Sequence, residues 1–126
     1  MSSIPSGGMQ KRVAVVGAGA AGLVALEALK RISSLKVTAY EKSVGLGGVW
    51  NMRQNTKEGS ANPMYKTLLT NLPCQIMAIN EDTPFSCTNE RSFIGHEEVQ
   101  DYLQSFADEH KLHENIRYGT EVVSVR

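Results

Sequence analysis

The stretch that decides the fold is VAVVGAGAAG, residues 13–22. Residues 13–16 are apolar and rich in valine, which is typical of a central strand of a parallel sheet. The glycines at 17, 19 and 22 complete the pattern G-x-G-x-x-G, and an amphipathic helical pattern begins at Ala20. Strand, glycine motif and helix in this order predict a βαβ unit whose turn binds the pyrophosphate of a dinucleotide.

Each glycine of the motif has a separate physical role. Gly17 permits the tight turn, Gly19 lets a pyrophosphate approach the backbone, and Gly22 lets the helix pack closely on the strand. The start of the helix adds unpaired N–H groups and the positive end of its dipole. We therefore expect a cofactor to contact the whole turn, which consists of Gly17, Ala18, Gly19, Ala20, Ala21 and Gly22.

A carboxylate follows the next predicted strand. Residues 37–40 form a second apolar run, and Glu41 comes directly after it, 41 − 22 = 19 positions beyond Gly22. A carboxylate here accepts hydrogen bonds from ribose hydroxyls and repels a 2′-phosphate, which favours FAD or NAD over NADP at this site. Glu41 and the adjacent Lys42 are therefore candidate cofactor-binding residues. The alternative is a glycine-rich turn with a surface glutamate that binds nothing.

The segment after Glu41 favours FAD over NAD. An NAD-binding domain normally continues into a crossover helix, whereas here Leu46-Gly47-Gly48-Val49-Trp50 follows. A glycine pair lets the backbone pass close to a second part of a long cofactor. Trp50 offers a flat aromatic face with one N–H donor; its alternative is a core or interface position.

The remaining chain has one clear helix. Residues 43–63 predict a long loop, residues 64–72 a helical turn or two that Pro73 ends, and residues 74–95 irregular structure. Residues 116–118 and 122–125 predict final strands. The buried face of the clear helix is formed by Val99, Tyr102, Leu103, Phe106 and His110.

Composition indicates an ordinary globular domain. The 126 residues suit one domain, with 13 Lys and Arg against 13 Asp and Glu, 41% hydrophobic and 21% charged residues. The balanced charge disfavours nucleic-acid binding, and the hydrophobic content disfavours disorder. No apolar run reaches the ~18 residues of a membrane helix, so we expect no membrane segment. Residues 1–10 predict a flexible N-terminal arm, ahead of a domain at residues 11–126.

Neither the cysteines nor the histidines form a metal-binding pattern. Cys74 and Cys87 belong to no C-x-x-C pair, and the three histidines lack cysteines at zinc-ligand spacing, so we expect no metal site. We interpret the cysteines as two reduced thiols of a cytoplasmic protein. The alternative is a disulfide or redox pair.

Together these motifs resemble the N-terminal part of flavin-containing monooxygenases. The resemblance depends on the GAGAAG turn, YEK at 40–42, GLGGVW at 45–50 and YKTLLTNLP at 65–73, and covers roughly residues 11–126. It implies a Rossmann-like βαβ unit with a parallel sheet, of the glutathione-reductase-like FAD/NAD(P) fold. It also implies an enzyme that binds FAD, reduces it with NADPH, and transfers one oxygen atom from a C4a-hydroperoxyflavin to a soft N or S nucleophile.

The resemblance also assigns roles by position. It implies that Glu41 binds the ADP ribose and that the backbone of Val122 meets the adenine. Asn71 matches the family's active-site asparagine, where an amide donates and accepts without changing charge; from the residues alone it is a turn residue before Pro73. The residues that would lie at the flavin are Leu46, Gly47, Val49, Trp50, Thr70 and Leu72.

In one respect the sequence departs from that family. A complete member carries a second G-x-G-x-x-G for NADPH, and these 126 residues contain a single one. We therefore expect the N-terminal portion of an FAD-binding domain, inactive on its own. Two alternatives stay open: part of a Baeyer–Villiger-type flavoprotein, or a non-catalytic nucleotide-binding product that associates with a full-length homologue. A disulfide reductase is disfavoured because no C-x-x-x-x-C follows the second strand.

Overall fold

A three-stranded parallel sheet organises the protein, whose computed structural model describes residues 8–52, 62–87 and 91–126. Strand β1 comprises Lys11–Val16, β2 Leu35–Tyr40 and β3 Ile116–Arg117, and they lie in the order β1-β2-β3. The register pairs Val13 with Val37 and Ala39 with Ile116. The predicted parallel α/β unit is confirmed.

Two helices complete the unit. Helix α1 comprises Ala20–Lys30 and begins at the predicted residue, and α2 comprises His96–Glu109. Gly19 precedes α1 in an extended conformation, and no side chain caps this helix start. At the start of α2, by contrast, the Glu98 carboxylate accepts a hydrogen bond from the Gly95 N–H at 3.1 Å, which satisfies one donor there.

The core lies between one face of the sheet and the helices. Val37 and Ala39 of β2 are buried on this face, and α1 packs against β1, β2 and α2. Lys30, in the last turn of α1, donates to the Lys111 carbonyl just beyond α2 at 2.8 Å. Burial of this apolar surface is the main contribution to stability. The largest fully buried side chains are Phe106, Leu23, Leu26, Leu46, Leu112 and Cys74.

The prediction that the first strand is central is wrong for the sheet as described. The middle strand is β2, and β1 lies at an edge, with Val16 62% exposed. The face of the sheet opposite the helices is uncovered by the described residues and forms a shallow concavity. It is lined by Arg12, Val13, Ala14, Lys36, Thr38, Tyr40 and Arg117.

Two local predictions are also wrong. Residues 64–72 contain one hydrogen-bonded turn, Leu68 N–H to Tyr65 O at 3.1 Å, and no helix; Leu69 instead pairs antiparallel with Gly95. Residues 122–125 are not a strand, because no described strand lies beside them to complete a ladder. Val123 and Val125 are exposed in consequence.

The cysteines form a disulfide, so the prediction of two reduced thiols is wrong. Cys74 and Cys87 are joined with their Cα atoms 6.0 Å apart. Their separation of 13 positions gave no local sign of this pairing. The pairing requires the irregular segment between the two cysteines to fold back on itself. The Tyr102 hydroxyl supports that fold: it accepts from the Ile79 N–H and donates to the Thr83 carbonyl.

Parts of three predicted segments lie outside the described residues: residues 1–7 of the N-terminal arm, residues 53–61 of the long loop and residues 88–90 of the irregular segment. Residues 8–10 have no regular structure, although the Gln10 amide donates to the carbonyls of Ser33 and Leu35. Among the described residues, no helix has the length and apolar character needed to cross a membrane.

Candidate functional site

The glycine turn joins β1 to α1 at the carboxyl edge of the sheet. Gly17 has φ = +93°, a conformation that glycine adopts without strain, and its N–H donates to the Tyr40 carbonyl at 2.8 Å. A Cβ atom on Gly22 would overlap the Gly17 carbonyl oxygen, so only glycine permits this close packing. The uncapped first turn of α1 presents N–H groups without intrahelical acceptors.

The Glu41 carboxylate lies directly beside this turn. It is 6% exposed, accepts from the Ala18 N–H at 2.7 Å through Oε2, and accepts from the Ser43 N–H at 2.9 Å through Oε1. A carboxylate has about four lone-pair sites, so two bonds leave acceptor capacity for hydroxyls of a ligand. Lys42, the next residue, is exposed.

The second glycine segment packs against the first. The Gly47 N–H donates to the Ala18 carbonyl at 2.9 Å. Gly47 and Gly48 both have positive φ, and a Cβ on Gly48 would lie 3.1 Å from the Gly19 Cα. Trp50 ends the short 3₁₀ helix Gly48–Trp50 and packs partly buried against the core. Val49 is about half exposed.

Helix α2 holds this second segment from the other side. The Gln100 amide Nε2 donates to the Leu46 carbonyl at 2.9 Å, and the Asn51 Nδ2 donates to the same oxygen at 2.8 Å. Sequence reasoning missed both residues. No local signal identifies Gln100, because its contact spans 54 positions of the chain.

The TNLP segment reaches the same region through the start of α2. Thr70 is buried; its N–H donates to the Ile94 carbonyl at 2.9 Å, and its Oγ1 accepts from the Ile94 N–H at 3.2 Å. The same hydroxyl donates to the Leu72 carbonyl at 2.9 Å. Asn71 and Leu72 are exposed. Hydrogen bonds of Thr70 therefore hold the backbone that presents Asn71 at the surface.

The segment after β3 closes the Glu41 side of the site. The Glu41 N–H donates to the Arg117 carbonyl, and the Glu41 carbonyl accepts from the Thr120 N–H, both at 2.9 Å. The structure thus brings the backbone two residues before Val122 beside Glu41, while Val122 itself lies partly exposed beyond this contact.

One ionisable group near the site is perturbed. Burial raises the pKa of the Tyr118 hydroxyl above its ordinary value of 10.0, and the negative charges of Glu41 and Asp108 raise this pKa further. The hydroxyl lies 2.8 Å from His113 Nδ1, whose Nε2 contacts Asp108. No three His, Cys, Asp or Glu side chains converge on a metal site within the ranges described.

The arrangement fits a dinucleotide. An uncapped helix start with no acidic residue in its first turn suits a pyrophosphate, and the buried carboxylate of Glu41 suits ribose hydroxyls. The open space around a Gly17 Cβ leaves the turn accessible.

Comparisons with known proteins agree with this geometry. Residues 10–126 match the model of the flavin-binding monooxygenase-like family. An N-oxide-forming dimethylaniline monooxygenase of Homo sapiens is 37% identical over 93% of this chain and 20% of its own length. The flavin-containing monooxygenase FMO GS-OX-like 6 of Arabidopsis thaliana is 38% identical over 99% of this chain and 30% of its own.

Solved structures give the same result. The S-allyl-L-cysteine S-oxygenase of Allium sativum superposes with a TM-score of 0.76 at 35% identity, over 92% of this chain and 29% of that one. The cyclohexanone monooxygenase of Rhodococcus sp. Phi1 bound to NADP+ gives 0.71 at 28% identity, over 90% of this chain and 20% of that one.

The chain therefore spans between about a fifth and a third of the length of the relatives it matches. FAD and NADPH are the cofactors of the matched family, as predicted. From its glycine turn to its last residues, this chain belongs to the flavin-binding monooxygenase-like family.

Proposed function

We propose that this chain forms the βαβ unit that binds the ADP half of FAD, and one wall of the flavin site, in an NADPH-dependent monooxygenase acting on soft N or S nucleophiles. The observation that carries the proposal is the buried Glu41 carboxylate, which contacts the Ala18 N–H at 2.7 Å beside the uncapped start of α1. These are the acceptor and the donors that a dinucleotide requires.

Different residues bind different parts of the cofactor. The N–H groups of Ala20, Ala21 and Gly22 bind the pyrophosphate, and the free lone pairs of Glu41 accept from the ribose. The backbone near Val122 receives the adenine, since Thr120 is held beside Glu41. Gly17 and Gly19 admit the cofactor because neither carries a side chain, and Lys42 adds an exposed positive charge near the phosphates.

The flavin half faces the second glycine segment and the TNLP segment. Leu46, Gly47, Val49 and Trp50 form one wall, while Thr70 and Leu72 fix the backbone that carries Asn71. The Asn71 amide offers a donor and an acceptor to the reacting oxygen without a change of charge. When bound, FAD supplies the oxygen activation and NADPH supplies the electrons.

The reaction class is proposed from the relatives. The human relative is named for N-oxide formation and the Allium enzyme for S-oxygenation, at 37% and 35% identity. Cyclohexanone monooxygenase has the lower identity of 28%. A soft N or S nucleophile is therefore favoured over a ketone, and Baeyer–Villiger oxygenation is the second candidate.

A second candidate role, association with a full-length homologue, is favoured by the sheet face and the β1 edge that the described residues leave uncovered. Mixing the tagged chain with a full-length flavin-containing monooxygenase and measuring co-elution tests this role directly.

Titration of the purified chain with FAD tests the leading proposal, with quenching of flavin fluorescence as the signal. We expect ADP to compete, FMN to compete poorly because it lacks the ADP half, and ADP carrying a 2′-phosphate to compete less well than ADP because Glu41 repels the extra charge.

Substitution of Glu41 sharpens this test. Glu41→Gln replaces one acceptor oxygen by an amide N–H₂ group that faces existing donors, so we expect FAD affinity to fall about tenfold or more. The control Glu121→Gln removes an exposed carboxylate and should leave affinity unchanged. FAD binding that ADP does not displace, or equal affinities in all three proteins, contradicts the proposal.

A further inference from the structure

The side chain of Gln100 makes an unusual contact on the buried side of α2. Its Nε2 donates to the Leu46 carbonyl at 2.9 Å. Its Oε1 is buried and has no hydrogen-bond partner among the described residues. The orientation of the amide is fixed because the Leu46 carbonyl is an acceptor and requires the N–H₂ group. The unpaired Oε1 atom of Gln100 therefore lies against the backbone of Gly47.

The contact requires a glycine at position 47. A Cβ on Gly47 would overlap the Gln100 amide, with Oε1 as the nearest atom. Gly47 also has φ = +112°, a conformation that disfavours any other residue. Position 47 and Gln100 thus fit each other as a pair across two distant parts of the chain.

The contact leads directly to the glycine turn. The Gly47 N–H donates to the Ala18 carbonyl at 2.9 Å, and the Ala18 N–H donates to the Glu41 carboxylate at 2.7 Å. A continuous series of short polar contacts therefore connects α2, through Gln100, to the second glycine segment and to the turn of α1.

We propose that Gln100 is a positioning residue that fixes the Leu46–Trp50 segment against the glycine turn and so determines how the protein holds the ring end of the flavin. The proposal rests on the proposed FAD site. An unpaired buried acceptor costs stability, and the helix tolerates this cost because the donor half of the same amide holds the Leu46 carbonyl in place.

Two substitutions test the proposal. Gln100→Leu removes both polar atoms, and Gln100→Glu keeps the shape but places an oxygen against the Leu46 carbonyl. Gln104→Leu is the matched control: it lies one turn later on α2, is partly exposed, and contacts Asp108 and His113 rather than the glycine segment. Far-UV circular dichroism of each apoprotein establishes that it is folded.

The first readout needs no cofactor. Trp50 is the only tryptophan of the chain and ends the segment in question, so quenching of its fluorescence by acrylamide reports how well the segment is held. We expect both Gln100 variants to raise the quenching constant about twofold and Gln104→Leu to leave it unchanged. Equal constants in all four proteins would overturn the proposal, whether or not FAD binds.

The second readout uses FAD. We expect both Gln100 variants to bind FAD about tenfold more weakly and to shift the visible absorption band of the bound flavin at saturation. Glu41→Gln, which acts on the ribose, should weaken binding without the band shift. If the wild-type chain binds no FAD, the proposed function of the chain fails, while the Trp50 measurement still decides the role of Gln100. Wild-type affinity and an unshifted band in both Gln100 variants would overturn the role.

Discussion

Glu41 serves the fold and the site with the same atoms. Its carboxylate accepts from two backbone N–H groups, and its own N–H and carbonyl pair with Arg117 and Thr120. These contacts connect the glycine turn, the end of β2 and the segment after β3. Burying a carboxylate is unfavourable unless hydrogen bonds compensate it, so the turn and the carboxylate depend on each other.

Substitution of Gly22 by alanine should destabilise the protein, which is the opposite of the usual effect of this substitution in a helix. Gly→Ala in an exposed helix normally stabilises by about 1 kcal/mol. Here the added Cβ overlaps the Gly17 carbonyl oxygen, so we expect Gly22→Ala to lower the free energy of unfolding by about 2 kcal/mol or more. Urea denaturation measures this change.

The control for Gly22 is Gly95→Ala, where an added Cβ meets nothing within 4 Å. Because Gly95 precedes α2, Ala there should cost at most about 1 kcal/mol. A Gly22→Ala protein that is as stable as wild type would show that the turn relaxes freely.

Tyr118 makes the free energy of unfolding depend on pH. Its pKa in the folded protein is raised above 10.0, chiefly by burial. Its contribution to stability is therefore fully present below pH 10 and is lost as the pH rises through the raised pKa, because the unfolded chain ionises first. We expect the free energy of unfolding to fall above pH 10 and Tyr118→Phe to flatten this fall.

All four tyrosines contribute to the absorbance at 295 nm, so the difference between wild type and Tyr118→Phe during the titration reports ionisation of Tyr118. Tyr65→Phe, which removes an exposed hydroxyl, serves as control and should leave the slope with pH unchanged. Equal slopes in wild type and Tyr118→Phe would contradict the assignment.

At the scale of elements, α2 and the residue before it contact two separate segments of the site. Its first residue follows the pairing of Leu69 with Gly95, and its second turn carries Gln100. The segment that contains Asn71 and the segment that contains Trp50 are therefore both held by one helix.

The disulfide stabilises the irregular element before α2. Joining Cys74 to Cys87 closes a short loop, for which the loss of chain entropy in the unfolded state predicts about 3 kcal/mol. We expect Cys87→Ser, or reduction with dithiothreitol, to lower the melting temperature. Dithiothreitol should leave the melting temperature of Cys87→Ser unchanged, and any further fall would indicate that the reductant acts elsewhere.

At the scale of the whole molecule, the described residues cover one face of the sheet with helices and leave the other face open. The open face carries the cations Arg12, Lys36 and Arg117 beside Tyr40, and Arg117 lies 5.9 Å above the Tyr40 ring. These like charges oppose edge-to-edge association of the sheet with a second copy of itself.

These 126 residues contain one G-x-G-x-x-G, and one such turn binds one dinucleotide. We therefore expect the purified 126-residue chain, supplied with FAD and NADPH, to show no oxygenation of a tertiary amine or a thioether above a protein-free control. Mass spectrometry of the N-oxide and sulfoxide measures this, and product formation above the control would contradict it.

Local sequence patterns predicted much of this fold. The valine-rich run, the glycine motif, Glu41 and the amphipathic pattern of residues 99–110 predicted β1, α1, β2 and α2, because each depends on periodicity or on a steric need of the backbone within a short window. The family followed from the same motifs together with GGVW and TNLP. The roles of the individual site residues stay predictions.

Contacts between distant segments had no local signal. Gln100 meets Leu46, Cys74 meets Cys87, and β2 rather than β1 lies at the centre of the described sheet. Residues 122–125 look like a strand, yet a strand exists only where a partner supplies hydrogen bonds. The sequence by itself determined which backbone turns are possible and which cofactor they suit; the tertiary structure decided which side chains hold those turns in place, because that depends on packing across the whole chain.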